Sequence, residues 1–225
     1  MELPLEAPVM TLNNAILFPQ SMLPLFIFEP RYRRMLADSL ASHRTFVVAM
    51  QKPGRKRETP SLVGGLGLIR AAVTNADGTS HLILQGLERV NLHETVKYKP
   101  YRLQRIEPIY TTGQENENIA SLASQLLDLV TTRMKQGIDF PVQMMGGFSQ
   151  EANEAPALMP MKQVLQYLRS VEDPSQLVDL VSGTLLPTPT ERQLILETPD
   201  LEQRLHLLVR FLLTDIKYRS KKNPS

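Results

Sequence analysis

Residues 12–40 read LNNAILFPQSMLPLFIFEPRYRRMLADSL, and the fold follows from how this stretch is divided. Two apolar runs, Ala15–Phe18 and Met22–Phe28, flank a Pro19-Gln20-Ser21 break. Proline in such a break interrupts regular pairing, so the sequence predicts two extended segments joined by a turn. The run Leu23-Pro24-Leu25-Phe26-Ile27-Phe28 contains no polar residue, which predicts a strand buried on both faces. Pro24 has no N–H to give to a ladder, which places it at a strand start or on an edge. The period then changes. Tyr32, Met35, Leu36 and Leu40 fall at helical spacing, with Arg33, Arg34 and Asp38 directed elsewhere. Pro30 suits a first helical turn, and Glu29 suits the positive end of a helix dipole.

The wording of this stretch resembles the opening of the Lon protease N-terminal, substrate-binding domain, and most closely stand-alone Lon-domain proteins of the PUA-like superfamily. Leu17, Phe18, Pro19, Leu23, Pro24, Leu25, Ile27, Phe28, Glu29, Arg31 and Tyr32 carry the likeness, while Gln20 stands where the family often has glycine. Gln85-Gly86-Leu87-Glu88-Arg89-Val90 is similar to a second family segment, with Gln85 in place of the usual acid. Later stretches follow in the family's order. These are Glu172–Asp179, Glu191–Glu197 and Asp200–Leu205, so the resemblance spans roughly residues 7–217.

Outward from the opening stretch, Val9–Leu12 and Thr45–Met50 read as strands. Leu66–Thr74 and His81–Gln85 flank Asn75-Ala76-Asp77-Gly78, where Asp-Gly supplies the positive φ of a hairpin. Gly64-Gly65-Leu66-Gly67 is followed by no helical pattern and the chain has no Gly-Lys pair. These glycines therefore read as sites of close backbone approach, not a phosphate loop. Strand-like alternation continues through Val90, Leu92, Leu103 and Ile106. Pattern alone supports a small, curved, mostly antiparallel sheet or barrel over residues 1–112. The resemblance implies a PUA-like pseudo-barrel of six strands with one helix.

A polar joint, TTGQENEN at 111–118, introduces a helical period. Apolar stripes run from Ile119 to Met134, from Met161 to Leu168 and from Leu177 to Val181, the last opened by Asp173-Pro174 and stopping around Gly183. Thr190–Glu197 carries a Thr190–Gln193 capping-box pattern, and Leu201–Ile216 is the strongest stripe, with Asp200 or Thr198 as its cap. The expected class is α+β: a β lobe over 1–112, a helical bundle over 113–217, and a basic, disordered tail over 218–225.

Composition sets the limits on function. The chain has 225 residues, 42% hydrophobic and 21% charged, with a net charge of +2, which is ordinary globular composition with room for a substantial core. It has no cysteine, so disulfides and thiolate chemistry are excluded. The N-terminus lacks a basic-then-apolar signal, and no apolar run approaches the ~18 residues of a membrane span. A cytoplasmic protein without a membrane partner is expected.

The sequence contains no G-x-x-x-x-G-K-[ST] loop, and Ser220-Lys221 stands in the basic tail without a scaffold for a catalytic dyad. His43, His81, His93 and His206 are scattered, and His93-Glu94 lacks the second histidine of a zinc helix. No catalytic residue, metal or cofactor is therefore expected. The resemblance implies a non-catalytic module that binds unfolded or extended polypeptide, or a protein partner, without ATPase or peptidase modules. Contacts are expected in a groove between the lobes, with exposed strand edges adding backbone pairing. Met144, Met145, Phe148, Met159 and Met161 lie in a Gly/Pro-interrupted run, and flexible methionine suits varied apolar partners. The second reading is an RNA-binding PUA-like protein using the basic loop 52–57 and the basic tail. It ranks lower because no aromatic residue stands beside that loop in sequence.

Overall fold

The computed structural model describes residues 3–55, 57–113, 117–136 and 161–222, with backbone only at Met161 and Lys222. The chain divides into two compact units, Met1–Tyr110 and Thr111–Ser225.

The first unit contains β1 (Glu6–Leu12), β2 (Met22–Ile27), α1 (Pro30–Leu40), β3 (Thr45–Met50), β4 (Val63–Thr74), β5 (Ser80–Lys97) and β6 (Arg102–Ile109). The strand order is β2-β5-β4-β3-β1-β6, and an added β5–β6 pairing closes five of the strands into a ring with β2 outside it. Closure works because β5 is 18 residues long and shifts register between Leu92 and Lys97, so that it pairs with β2 and β4 first and β6 later. β1 and β3 are parallel, joined through α1, and the remaining pairings are antiparallel.

Every residue of β3 is buried, because its two faces serve two cores. Val47 and Ala49 join Ala7, Val9, Leu66, Val90, Leu92 and Ile106, drawn from all five ring strands, and fill the barrel. Phe46 and Val48 join Tyr32, Met35 and Leu36 of α1 in the second core. Tyr32 reaches across this core, where its hydroxyl accepts from the Thr11 amide at 3.2 Å.

Two expectations for the opening stretch are corrected. Ala15–Phe18 forms no strand, although Ile16, Leu17 and Phe18 are buried. It crosses over β4 and β5 where those strands lack side chains. A Cβ at Gly65 would collide with the Leu17 carbonyl, and one at Gly86 with the Phe18 carbonyl. The turn that follows is bonded to the same place: Gln20 donates its amide to the Gly86 carbonyl at 2.8 Å and has φ +61°. β2, in turn, is not buried on both faces. It pairs only with β5, and Pro24 and Phe26 are exposed. Glu29 precedes α1, but its carboxylate accepts from Arg31 and not from the helix backbone.

The second unit contains α2 (Glu117–Lys135), α3 (Met161–Arg169), α4 (Pro174–Leu185), α5 (Pro189–Glu197) and α6 (Leu201–Lys222). Their apolar stripes converge: Ile119, Leu126, Val130, Val178, Val181, Leu205, Leu208 and Leu212 are buried. Asp173 caps α4 through the Ser175 amide at 2.8 Å, and Asp200 caps α6 through the Gln203 amide at 2.8 Å. α5 begins earlier than its expected cap. Thr188, not Thr190, accepts from the Glu191 amide and donates to the Glu191 carboxylate, because Pro189 fits the first helical position. α4 passes Gly183 and ends at Leu185. α6 continues through Lys222, into the stretch expected to be a disordered tail. The Arg219–Asp215 pair and the bond from Gln136 Nε2 to Ser220 Oγ at 3.0 Å hold its last turns.

Candidate polypeptide-binding surface

Among the expected contact residues, Met144, Met145, Phe148 and Met159 lie outside the described residues. Met161 opens α3, and its side chain is likewise outside them. Within the described residues, the structure brings together a different apolar group, on the outer face of β2, β5 and β4.

Cross-strand register builds this surface. Phe26 stands opposite His81, and His81 stands opposite Val73. One step along, Pro24 faces Ile83, and Ile83 faces Ala71. The Phe26 ring lies 4.7 Å from the His81 imidazole, and Phe28 stacks on Phe26 at 6.0 Å. Phe26 is 50% exposed, Phe28 59% and Val73 66%, so an aromatic pair faces solvent, with His81 standing between Phe26 and Val73. Scattered apolar residues are normal on protein surfaces, but clustered aromatic ones mark interaction sites.

The free edge of β2 adjoins the pair. The Ser21 carbonyl accepts from the Gly86 amide at 2.9 Å, and antiparallel ladders bond at alternate residues. The bonding positions are therefore 23, 25 and 27, so Met22, Pro24 and Phe26 turn their backbones to the free edge. Pro24 offers a carbonyl there but no N–H, which blunts the edge against indiscriminate pairing. The free edge thus offers N–H and C=O at Met22 and Phe26 and only a carbonyl at Pro24, with the aromatic pair beside the Phe26 end.

Ion pairs brace the start of α1 next to this surface. Arg31 donates to both Glu29 and Glu58, and its guanidinium lies 4.3 Å from the centre of the Tyr32 ring. The described residues contain no group of three or more metal-ligating side chains, and all four histidines are exposed. A second depression of about 730 Å³ is lined by Leu5, Leu68, Leu87, Ile106 and Tyr110, with Arg70 and Glu88 at its wall. None of the described helices is long and apolar enough to cross a membrane.

The described elements make an α+β chain of two units, and comparison with known proteins identifies its family. The substrate-binding domain of ATP-dependent protease La (LON) matches residues 6–214, and the chain belongs to that family. It is 23% identical over 219 residues to a Lon protease of Dictyoglomus thermophilum, covering 96% of this chain and 25% of that protein. It is 25% identical over 222 residues to a Lon protease of Koribacter versatilis, with the same two coverages. The chain therefore spans about a quarter of the length of these curated relatives. Among solved structures, the N-terminal domain of the Mycobacterium avium complex Lon protease superposes with a TM-score of 0.69 at 17% identity, covering 92% of this chain and 98% of that one. A Lon N-terminal domain protein from Xanthomonas campestris gives 0.60 at 19% identity, with the same coverages.

Phe26 and Phe28 escaped the sequence reading because an apolar run looks the same on an edge as in a core. The available signal was Pro24, whose missing N–H already argued for an edge.

Proposed function

We propose that this chain holds unfolded or extended polypeptide on the outer face of β2 and does not cleave it. The observation that carries this reading is the stacked, half-exposed pair Phe26 and Phe28 beside a partly open strand edge. Membership of a substrate-binding family supports a polypeptide ligand. Met144, Met145, Phe148, Met159 and Met161 are proposed as a second, adaptable apolar contact for the same ligand.

The expected energy is modest. Full burial of a phenylalanine side chain gives about 1.5–3 kcal/mol, so covering the exposed half of two rings gives about 2 kcal/mol, roughly thirtyfold in Kd. Fluorescence anisotropy with a labelled, permanently unfolded polypeptide tests the reading. Phe26→Ser/Phe28→Ser should weaken binding by about that factor while thermal unfolding stays cooperative. Met144→Ser/Met145→Ser/Phe148→Ser should weaken it further. Unchanged affinity in the first variant removes the β2 surface from the account, and unchanged affinity in the second removes the methionine segment.

A further inference from the structure

The formal charge of +2 conceals an asymmetry. Residues 1–110 hold 14 Lys and Arg against 9 Asp and Glu, whereas residues 111–225 hold 11 against 14. Much of the excess in the first unit gathers at one end of the barrel. The loop between β3 and β4 carries Lys52, Arg55 and Arg57, while Lys97 ends β5, Lys99 lies in the β5–β6 connection and Arg102 opens β6. These two segments meet: Arg102 donates to the Glu58 carbonyl at 3.1 Å and to Thr95 Oγ1 at 3.3 Å.

The meeting brings an aromatic ring to the basic loop, which the linear sequence does not. Tyr98 is 68% exposed and lies beneath the Arg102 guanidinium, 5.3 Å from ring centre to Cζ. Arg55, Arg57, Lys97 and Lys99 are exposed, and with Lys52 they form no ion pair among the described residues. The nearby carboxylates offset only part of this charge: Glu58 shares Arg31 with Glu29, and Asp38 pairs with Arg34 and Tyr101 and also feels Lys97. The positive field at this end is therefore not cancelled locally. In the second unit, Arg219 of the basic tail pairs with Asp215.

We infer that this end of the barrel binds single-stranded nucleic acid, with the lysines and arginines on the phosphates and Tyr98 stacking on one base. Cations provide sequence-independent affinity for the backbone, and an exposed ring discriminates an unstacked base from a duplex. This site uses none of the residues of the β2 surface, so the two readings stand or fall separately.

The test is anisotropy of the full chain with fluorescein-labelled 12-nucleotide pyrimidine RNA, DNA of the same sequence, and duplex DNA, at 50 and 200 mM salt. About four phosphate contacts predict a Kd for single strands that rises roughly fiftyfold between the two salts. Lys52→Glu/Arg55→Glu/Arg57→Glu should weaken binding more than tenfold and flatten the salt dependence. Lys97→Glu/Lys99→Glu should act likewise. Tyr98→Ala should weaken binding by about tenfold at both salts and leave the slope unchanged. Lys162→Glu/Arg169→Glu on α3 should have no effect. RNA preference over DNA, or equal affinity for the two, specifies which single strand is held and supports the site in either case. No binding at 50 mM salt, equal affinity for duplex, or indifference to either basic variant would overturn it. Indifference to Tyr98→Ala would do the same, reducing the site to a general polyanion patch.

Discussion

Arg204 donates from its guanidinium to the Asp179 carboxylate at 3.0 Å, and neither side chain is appreciably exposed. The other terminal nitrogen of Arg204 reaches Thr111 Oγ1 and Ser175 Oγ, both at 2.9 Å. One buried cation thus ties the start of the second unit to α4 and α6. The same strap is bonded at Thr112, whose carbonyl accepts from the Leu201 amide.

Removing one partner of such a pair leaves an uncompensated buried charge. Arg204→Met should therefore cost about 3–5 kcal/mol, read as a lowered urea midpoint. Arg204→Met/Asp179→Leu should recover much of that loss, because two apolar groups of similar volume leave no charge stranded. A double variant as unstable as the single one would show that the pair contributes through shape alone.

The crossing of residues 15–20 over β4 and β5 needs bare backbone beneath it. Gly65→Ala or Gly86→Ala should displace Leu17 or Phe18 from the core and lower stability by about 2–4 kcal/mol in chemical denaturation. Gln20 is a converse case: its φ of +61° lies where glycine is at ease. Gln20→Gly should be neutral or stabilising by up to about 1 kcal/mol, and a loss above that would locate the turn's stability in the Gln20 side chain.

Tyr101 and Asp38 give the first unit a measurable pH response at both extremes. Burial, then the hydrogen bond it donates to Asp38 at 2.9 Å, pushes the Tyr101 phenol up to about 12. The folded state thus keeps a proton that the unfolded chain loses near 10, so this stabilisation is whole below pH ~10 and is lost as pH rises towards 12. Asp38 is held below its ordinary range, first by Arg34 and then by Tyr101, so its contribution is present at neutral pH and disappears as pH falls through the lowered value. In an ultraviolet tyrosinate titration, Tyr101→Phe should delete a step near pH 12, and Asp38→Asn should move that step down. A titration unchanged by either substitution contradicts the contact.

Much of the architecture is legible in the residues themselves. Tyr32, Met35 and Leu36 face one core at helical spacing, Asp173 and Asp200 cap the helices they precede, and Asp77-Gly78 turns the hairpin. What escaped the reading depended on partners distant in sequence. Ala15–Phe18 looks like a strand locally, and only Gly65 and Gly86 reveal that it crosses strands instead. The true cap of α5 was signalled by Pro189, because proline at the first helical position puts the cap at Thr188. The aromatic pair at β2 could not be told from a core strand, since burial depends on whether a neighbour covers the second face. The basic loop lacked an aromatic residue until the β5–β6 connection brought Tyr98 to it.

The β2 face is the proposed place where polypeptide is held. Two-dimensional NMR of the labelled chain, titrated with an unfolded polypeptide, tests that most directly. Resonances of Phe26, Phe28, Val73 and His81 should shift progressively and saturably, while those of the barrel interior at Val47 and Leu66 stay in place. Saturable binding that leaves Phe26, Phe28, Val73 and His81 unmoved would contradict it.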